Sequence, residues 1–580
     1  MNLPNALQDA AFLVVLTLLV KPVGRYVARV FAGERTPLDF VLLPVERGLH
    51  RLIGLRPAPM TWRRYAGAFV LFSALGTMFL FLLLLAQHLL PGGPPQADLT
   101  TPMTADLALN TAVSFSTTTT WQAYAGETTL RYWAQLAGLA AQNFLAGAAG
   151  LAVGIAFTRG IARERSDNLG NFWVDVVRAL LWVLLPVSLV GSLFLVWRGV
   201  PVNFAAYTAV STLDGDHQVI AQGPVAALEL IKNLGTNGGG FFNANGAHPY
   251  ENPSPLTNLV ALLAMAVVPA ALTHTFGVMV GRPRVGWMLY GVMVFLFVGG
   301  LVLCHWAEHA PAPALAHAGL DAVNLEGKEV RFGLGGSVLA AVVTSNAATG
   351  SYVSMHDSFM PLSRFVLMMN MFIGEVVFGG LGTGLYSIIL LVLVALFIGG
   401  LMTGRTPEFL GKTLGPGEMK LIVIYTLVTP LVVLPLTAVA VSTVAGRAGL
   451  GTNTGEHGLS EILFAYASCV ANNGQTMAGL NANSLFYNLT TALAMLAGRF
   501  ALTIPALALT SLFARQGRRP VTKGTLPIDT ALFGGLTVAV ALIVAGLNFL
   551  PALTLGPILE HFRTGSDAQA AQVPSVPARL

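Results

Sequence analysis

Long apolar stretches alternate with short polar ones along most of this chain. A helix needs about 20 apolar residues to cross a bilayer, and ten segments reach that length: Gln8 to Phe31, Tyr65 to Leu90, Tyr132 to Thr158, Phe172 to Trp197, Leu256 to Val280, Val285 to Cys304, Phe365 to Leu401, Met419 to Ala445, Leu485 to Phe513 and Ala531 to Leu550. The pattern predicts an all-α integral membrane protein with ten transmembrane helices. The seventh segment is too long for one straight span. It contains "FGGLGTG", where Gly379, Gly380, Gly382 and Gly384 are expected to break the helix. The first segment ends in Lys21 and Arg25 without a small-residue cleavage site, so it is expected to be a retained span.

Basic residues fix an expected orientation, because cytoplasmic loops retain Lys and Arg. Lys21 to Arg64 holds nine, the loop from Arg159 three, "GRPR" two, Gly404 to Lys420 three and Arg515 to Lys523 four. All five loops fall on one side, which puts both termini outside. The loops after spans two, four, six and eight are then external too, and they share one plan. A helix-like run too short to cross a bilayer, such as Leu107 to Ser116 or Pro224 to Leu234, leads into a Thr/Asn/Gly segment. The plan recurs at intervals of about 110 to 126 residues.

Four such hairpins predict four fused membrane–pore-loop–membrane repeats around a pseudo-fourfold axis, with one extra helix at each end. The expected division is a first helix and basic loop over 1–64, repeats over 65–170, 171–282, 283–418 and 419–523, and a last helix with an external tail over 524–580. Non-helical backbone at membrane depth is tolerated only where protein buries it or where it lines a watery cavity. Four loops meeting on one axis satisfy that condition.

Aligning the loops stacks Thr117-Thr118-Thr119-Thr120, Thr236-Asn237-Gly238-Gly239, Ala348-Thr349-Gly350-Ser351 and Asn472-Asn473-Gly474-Gln475. The third column is Gly in three repeats and Thr in the first. Turning successive carbonyls toward one axis requires backbone conformations that a Cβ opposes. Rings of carbonyls replace the hydration shell of a monovalent cation such as K⁺. The absence of Asp and Glu from these segments disfavours Ca²⁺ and Mg²⁺, which take carboxylate oxygens.

Composition agrees with the membrane reading: 54% of the 580 residues are hydrophobic and 10% charged, with a mean hydropathy of +0.68. The net charge of +5 comes from dispersed residues and is explained by topology rather than nucleic-acid binding. Cys304 and Cys469 offer neither a disulfide framework nor metal-ligand spacing. The sequence contains no G-x-x-x-x-G-K-[ST] stretch and no "DKTGT". ATP hydrolysis is therefore not expected of this chain alone.

The stretches "IKNLGTNGGGFFNANGAHPYENP", "MHDSF" and "AGLNANS" resemble the KdpA family, the potassium-translocating A subunits of bacterial Kdp transport ATPases. The resemblance implies the superfamily of K⁺ transporters, K⁺ as transported ion, and a location in the bacterial cytoplasmic (inner) membrane. It further implies import driven by a separate P-type ATPase subunit, KdpB, accompanied by KdpC and KdpF. The family's first filter usually reads Thr-Asn-Thr-Asn where this chain has "TTTT". Its third usually has Cys where this chain has Thr349. A stand-alone K⁺ channel or ion-coupled transporter is the alternative, and a membrane enzyme finds no converging nucleophile and base.

Several further residues carry expectations. Arg499, near the middle of the ninth span, is either a structural ion pair or, by the family likeness, a cation beneath the filter that opposes leakage. Glu375 either pairs with a basic residue or forms a low-affinity step below the filter. Gln122 is expected to hydrogen-bond behind the filter, a position that tunes K⁺ affinity in the resembling proteins. Lys232 and Arg364 are expected to anchor at the outer interface or to satisfy helix-end carbonyls. His248, His356 and Asp357 are expected to hold loop structure without metal-like company, and Trp121 and Phe241 to pack around the pore.

Overall fold

The computed structural model describes residues 3–55, 57–91, 93–94, 98–310, 323–451, 453–520 and 525–563. Lys523 and the tail from 564 onward, both assigned a side from sequence, lie outside the described residues. Among the described residues ten helices are long and apolar enough to cross a membrane: Leu3–Ala32, Trp62–Leu85, Ala134–Ala162, Phe172–Trp197, Pro255–Met279, Pro283–Glu308, Thr383–Met402, Pro416–Ser442, Leu485–Arg515 and Ala531–Arg563. The first and tenth run beyond the apolar pattern. The tenth continues through a π-helical segment, Thr554–Ile558.

Between consecutive pairs of spans lie four shorter helices, Ala105–Ser116, Val225–Leu234, Gly333–Asn346 and Gly455–Val470. At 1.5 Å per residue none reaches across ~30 Å of hydrocarbon. Almost every residue in their C-terminal halves is buried, as expected of helices that dip into a bundle rather than lie on it.

The third span is the most enclosed of the ten. Its Gly147, Gly150 and Gly154 leave room for backbone from elsewhere. A Cβ on Gly150 would stand 2.5 Å from the Leu381 carbonyl oxygen, and one on Gly154 2.6 Å from the Gly382 Cα. Opposite Gly147 stands Gly235, and what fills the room at Gly150 and Gly154 is the break in the seventh segment. The helix Pro361–Phe372 stops, residues 373–382 run without helix, and Thr383–Met402 resumes behind Gly382 at φ +87°. Left-handed backbone of that kind is natural to glycine.

Two small hairpins depart from the all-helical expectation: Thr208–Ser211 with His217–Ile220, and Glu408–Phe409 with Lys412–Thr413. Strands of this length carry too few residues for a period-2 signal to emerge from polar loops.

Candidate functional site

Each short helix ends by the same device. The residue after the cap takes a left-handed conformation: Thr118 (φ +64°), Thr236 (+49°), Ala348 (+48°) and Asn472 (+49°). The next amide then turns back onto the last helical turn. Thr119 N donates to Ser114 O, Asn237 N to Lys232 O, Thr349 N to Thr344 O and Asn473 N to Ser468 O, at 2.9 to 3.3 Å. This is the six-to-one closure of a helix C-terminus. It is unusual in placing a residue other than glycine in left-handed backbone all four times.

These closures correct the alignment of the first repeat by one position. Thr118, not Thr117, is the structural counterpart of Thr236, Ala348 and Asn472. The third column is therefore Thr120, Gly238, Gly350 and Gly474, all at positive φ. Trp121 takes the fourth place, beside Gly239, Ser351 and Gln475, and Thr117 caps its helix as Gly235 does. The reason is local: four identical threonines carry no register of their own, so the helix end decides.

With that register the loops close into a ring. A Cβ on Gly238 would stand 1.7 Å from the Thr349 carbonyl oxygen, one on Gly350 2.2 Å from that of Asn473, and one on Gly474 1.9 Å from that of Thr119. The fourth seam is made by Thr120, whose Oγ1 donates to the Asn237 carbonyl. Four second-column carbonyls, of Thr119, Asn237, Thr349 and Asn473, thus each meet the third column of a neighbouring repeat. All sixteen residues singled out from sequence are buried.

Asparagine side chains of the second and fourth loops tie the ring to its surroundings and to the first loop. Asn237 Nδ2 donates to Asn143 O at 2.7 Å, Asn473 Nδ2 to Thr344 O and Ser345 O at 3.2 Å, and Asn472 Nδ2 to Thr119 Oγ1 at 2.9 Å. On the side of the loops that leads to the following spans, a cavity of about 680 Å³ opens between Trp121, Gln122, Asn245, Tyr352 and Thr476.

On the opposite side two charges stand close to the ring. Arg499 lies in a π-helical segment, Ala497–Ala501, a helical irregularity frequent at functional sites. Its Nη1 donates to Thr118 Oγ1 at 3.2 Å and its Nη2 to Ala146 O at 3.3 Å, and the guanidinium sits 5.5 Å from the Phe69 ring centroid. Among the described residues no carboxylate comes within salt-bridge distance of it, so it forms no contact ion pair, although Glu375 lies within electrostatic reach. Glu375 is buried within the break at φ +57°. It too has no basic partner at salt-bridge distance among the described residues. A Cβ on Gly380 would lie 3.4 Å from Glu375 Oε2 and 3.7 Å from the Ala348 Cβ, so the carboxylate sits near the third loop. Leu381 N donates to Thr236 Oγ1 at 2.9 Å, which ties the break to the second loop as well.

Comparison with known proteins agrees with this architecture. The family model described as "KdpA: Potassium-transporting ATPase A subunit" matches residues 10–562. The chain belongs to the KdpA family. Among curated KdpA-type relatives, a potassium-transporting ATPase potassium-binding subunit of Methylorubrum extorquens is 49% identical over 563 residues, 97% of this chain and 98% of the relative. The protein of the same name from Rhodospirillum centenum is 48% identical over 578 residues, 99% of this chain and 100% of the relative.

Within this KdpA-family chain Gln122 lines the cavity and bonds the second loop just past Gly239: its Oε1 accepts from Gly240 N at 2.8 Å, and its Nε2 donates to Gly240 O at 3.2 Å. Trp121 and Phe241 are buried in packing roles. His248 stacks on Phe242 with ring centroids 3.7 Å apart, and a His356 ring nitrogen meets Gln475 Nε2 at 2.6 Å. Three expectations need correction. Lys232 is not an interfacial anchor but fully buried between Glu229 and Glu251. Arg364 is likewise buried, paired with Glu560 and standing beside His457, which shares that carboxylate. Asp357 does have ligand-like company, since its oxygen, a His457 nitrogen and a Glu461 oxygen lie within 4.8 Å of one another. The Arg364 guanidinium, 2.8 Å from His457 Nδ1, already places a fixed cation there. That makes the group an ion-pair latch. Sequence reasoning missed Arg364 and Asp357 because their partners come from distant segments, and Lys232 because its burial depends on Glu251 folding back across the loop.

Proposed function

We propose that this chain is the K⁺-binding and K⁺-translocating subunit of an ATP-driven import complex in the bacterial inner membrane. In this reading ATP is hydrolysed by a P-type partner, KdpB, assembled with KdpC and KdpF. The curated relatives carry the name of a potassium-binding subunit, and the proposal extends that binding to this chain. The observation that carries it is the closed ring of loops, in which the third column of each repeat meets a second-column carbonyl of another. Buried oxygens without carboxylate charge suit a dehydrated monovalent cation. Potassium enters from the external cavity and sheds water at the carbonyls of the second and third columns.

Below the ring, Arg499 repels a cation from the axis, while Glu375 attracts it toward the broken helix. The ion therefore leaves sideways, toward the partner, instead of straight through. Glycines Gly379, Gly380, Gly382 and Gly384 let that break change shape and gate the exit. Energy reaches the ion only through a coupling free energy between subunits. The test is K⁺ uptake into proteoliposomes containing this chain alone, without ATP and with controlled ion gradients. No concentrative uptake is expected alone, and ATP-dependent uptake is expected with the partners present. Accumulation driven by H⁺ or Na⁺ would instead establish a stand-alone ion-coupled transporter.

A further inference from the structure

The short helix Val225–Leu234 carries a lysine with no exposure to solvent. Lys232 Nζ reaches Glu229 Oε2 at 2.6 Å, Asn245 Oδ1 at 2.8 Å and, most closely, Glu251 Oε2. Glu229 and Glu251 are themselves buried. A long flexible cation is held here by hydrogen bonds to Asn245 and Glu251 of the returning loop and by an ion-pair contact with Glu229 one helical turn away.

The position of the same residue's backbone gives this triad its meaning. The Lys232 carbonyl accepts from both Asn237 N and Gly238 N, each at 2.9 Å. Asn237 supplies the second-column carbonyl and Gly238 the third-column position of the second repeat. The acceptors of the side chain lead to the other side of the same loop. Glu251 Oε1 takes the Phe242 amide at 2.8 Å, a few residues past Gly239. Asn245 Oδ1 also accepts from Ser351 Oγ at 3.1 Å, and Ser351 is the fourth position of the third repeat. Lys232 thus grips the entrance of one filter loop by its carbonyl and the exit by its ammonium. Through Asn245 it fixes that loop against the next.

We propose that Lys232, clamped by Glu229 and Glu251, is a specificity-determining positioning residue that sets the spacing of the second loop against the third. The clamp sits in one repeat only. The corresponding positions of the other closures are Ser114, Thr344 and Ser468, with short neutral side chains. The seam between repeats two and three is where Gly238 approaches Thr349 O most closely, and a small displacement there changes the size of the ring. The inference rests on the K⁺-filter reading given above.

The experiment uses the whole complex with Lys232→Met, Glu251→Gln and the pair combined. Assembly is checked by size exclusion, and half-stimulating concentrations of K⁺, Rb⁺ and NH₄⁺ are read from ATP hydrolysis. Lys232→Met is expected to weaken K⁺ stimulation at least tenfold and to reduce discrimination against NH₄⁺ at least fivefold. Glu251→Gln should do the same more mildly, and Lys232→Arg should restore part of the discrimination. The combined variant should fall short of the product of the single effects. An assembled Lys232→Met complex with the wild-type ion ratios would overturn the proposal. If that variant fails to assemble, unchanged ratios in Glu251→Gln would overturn it equally. Wild-type hydrolysis indifferent to K⁺ over Na⁺ would instead sink the filter reading itself.

Discussion

Two kinds of non-helical backbone lie within this bundle, and they differ in how they are held. The loops of the ring occur four times, each begun by the same helix closure and each wedged against the next, so every loop is supported by two neighbours. The break at 373–382 occurs once. The equivalent spans of the other repeats, Ala134–Ala162, Pro255–Met279 and Leu485–Arg515, pass through the same depth unbroken. The break is held by glycine contacts with the third span and by one hydrogen bond to Thr236. Backbone supported symmetrically suits selection, which needs fixed spacing. Backbone supported from one side suits gating, which needs a second arrangement.

The largest effect expected from testing this contrast is Gly238→Asp. Its Cβ has no space beside Thr349 O, and left-handed backbone adds strain. Together these should cost about 3 kcal/mol, roughly 100-fold in K⁺ half-stimulation, with Na⁺ or NH₄⁺ admitted. Unchanged K⁺ affinity and Na⁺ exclusion in an ion-stimulated ATPase assay would remove the filter assignment. Next, shortening "FGGLGTG" should raise passive K⁺ flux through the isolated subunit in liposomes. Leakage at background would move the gate elsewhere.

Arg499→Gln should also raise passive flux, by less, because the break remains. The measurement is the same liposome assay, and an unchanged flux would leave Arg499 a merely structural donor to Thr118 and Ala146. Thr120→Gly gives the first repeat the residue the other three carry at that place. It removes left-handed strain of about 1 kcal/mol together with the hydrogen bond to Asn237. These opposed terms should leave K⁺ half-stimulation within about threefold of wild type, whereas a loss comparable to Gly238→Asp would show that ion binding depends on the hydroxyl contact at this seam and not on backbone spacing alone.

The smallest effect concerns the latch that ties the chain returning from the third loop to the fourth short helix. Burial opposes protonation of His457, but hydrogen bonds to Asp357 and Glu560 outweigh it and raise its pKa from 6.5 to about 9. A raised value means the protonated form is favoured by folding. The contribution is complete below about pH 6.5 and is lost as pH rises through 9. The difference in unfolding temperature between wild type and His457→Gln should shrink from pH 6 to pH 9.5. A difference that grows over that range would contradict the ion-pair reading.

Much of this was legible in the chain. Apolar length located ten spans, and the glycines of "FGGLGTG" marked the break, since helix-breaking backbone is a local property. The recurrence of short helix and polar segment exposed the fourfold plan. Ambiguity entered where local chemistry was uniform or partners were remote. Glu375 and Arg499 could each have been half of a contact ion pair, and only the structure shows them acting on each other across a distance longer than such a contact.

Sequence by itself determined the membrane architecture and the four loops, because hydrophobic length and turn-forming residues act over a few neighbours. Tertiary structure alone decided the register of "TTTT", since four like residues fit a helix end in several ways until packing against Asn237 selects one. It alone decided that Lys232 is buried. Whether a lysine can leave water depends on carboxylates brought to it from Glu229, one turn away, and Glu251, across the loop, and a buried charge persists only where such partners meet it.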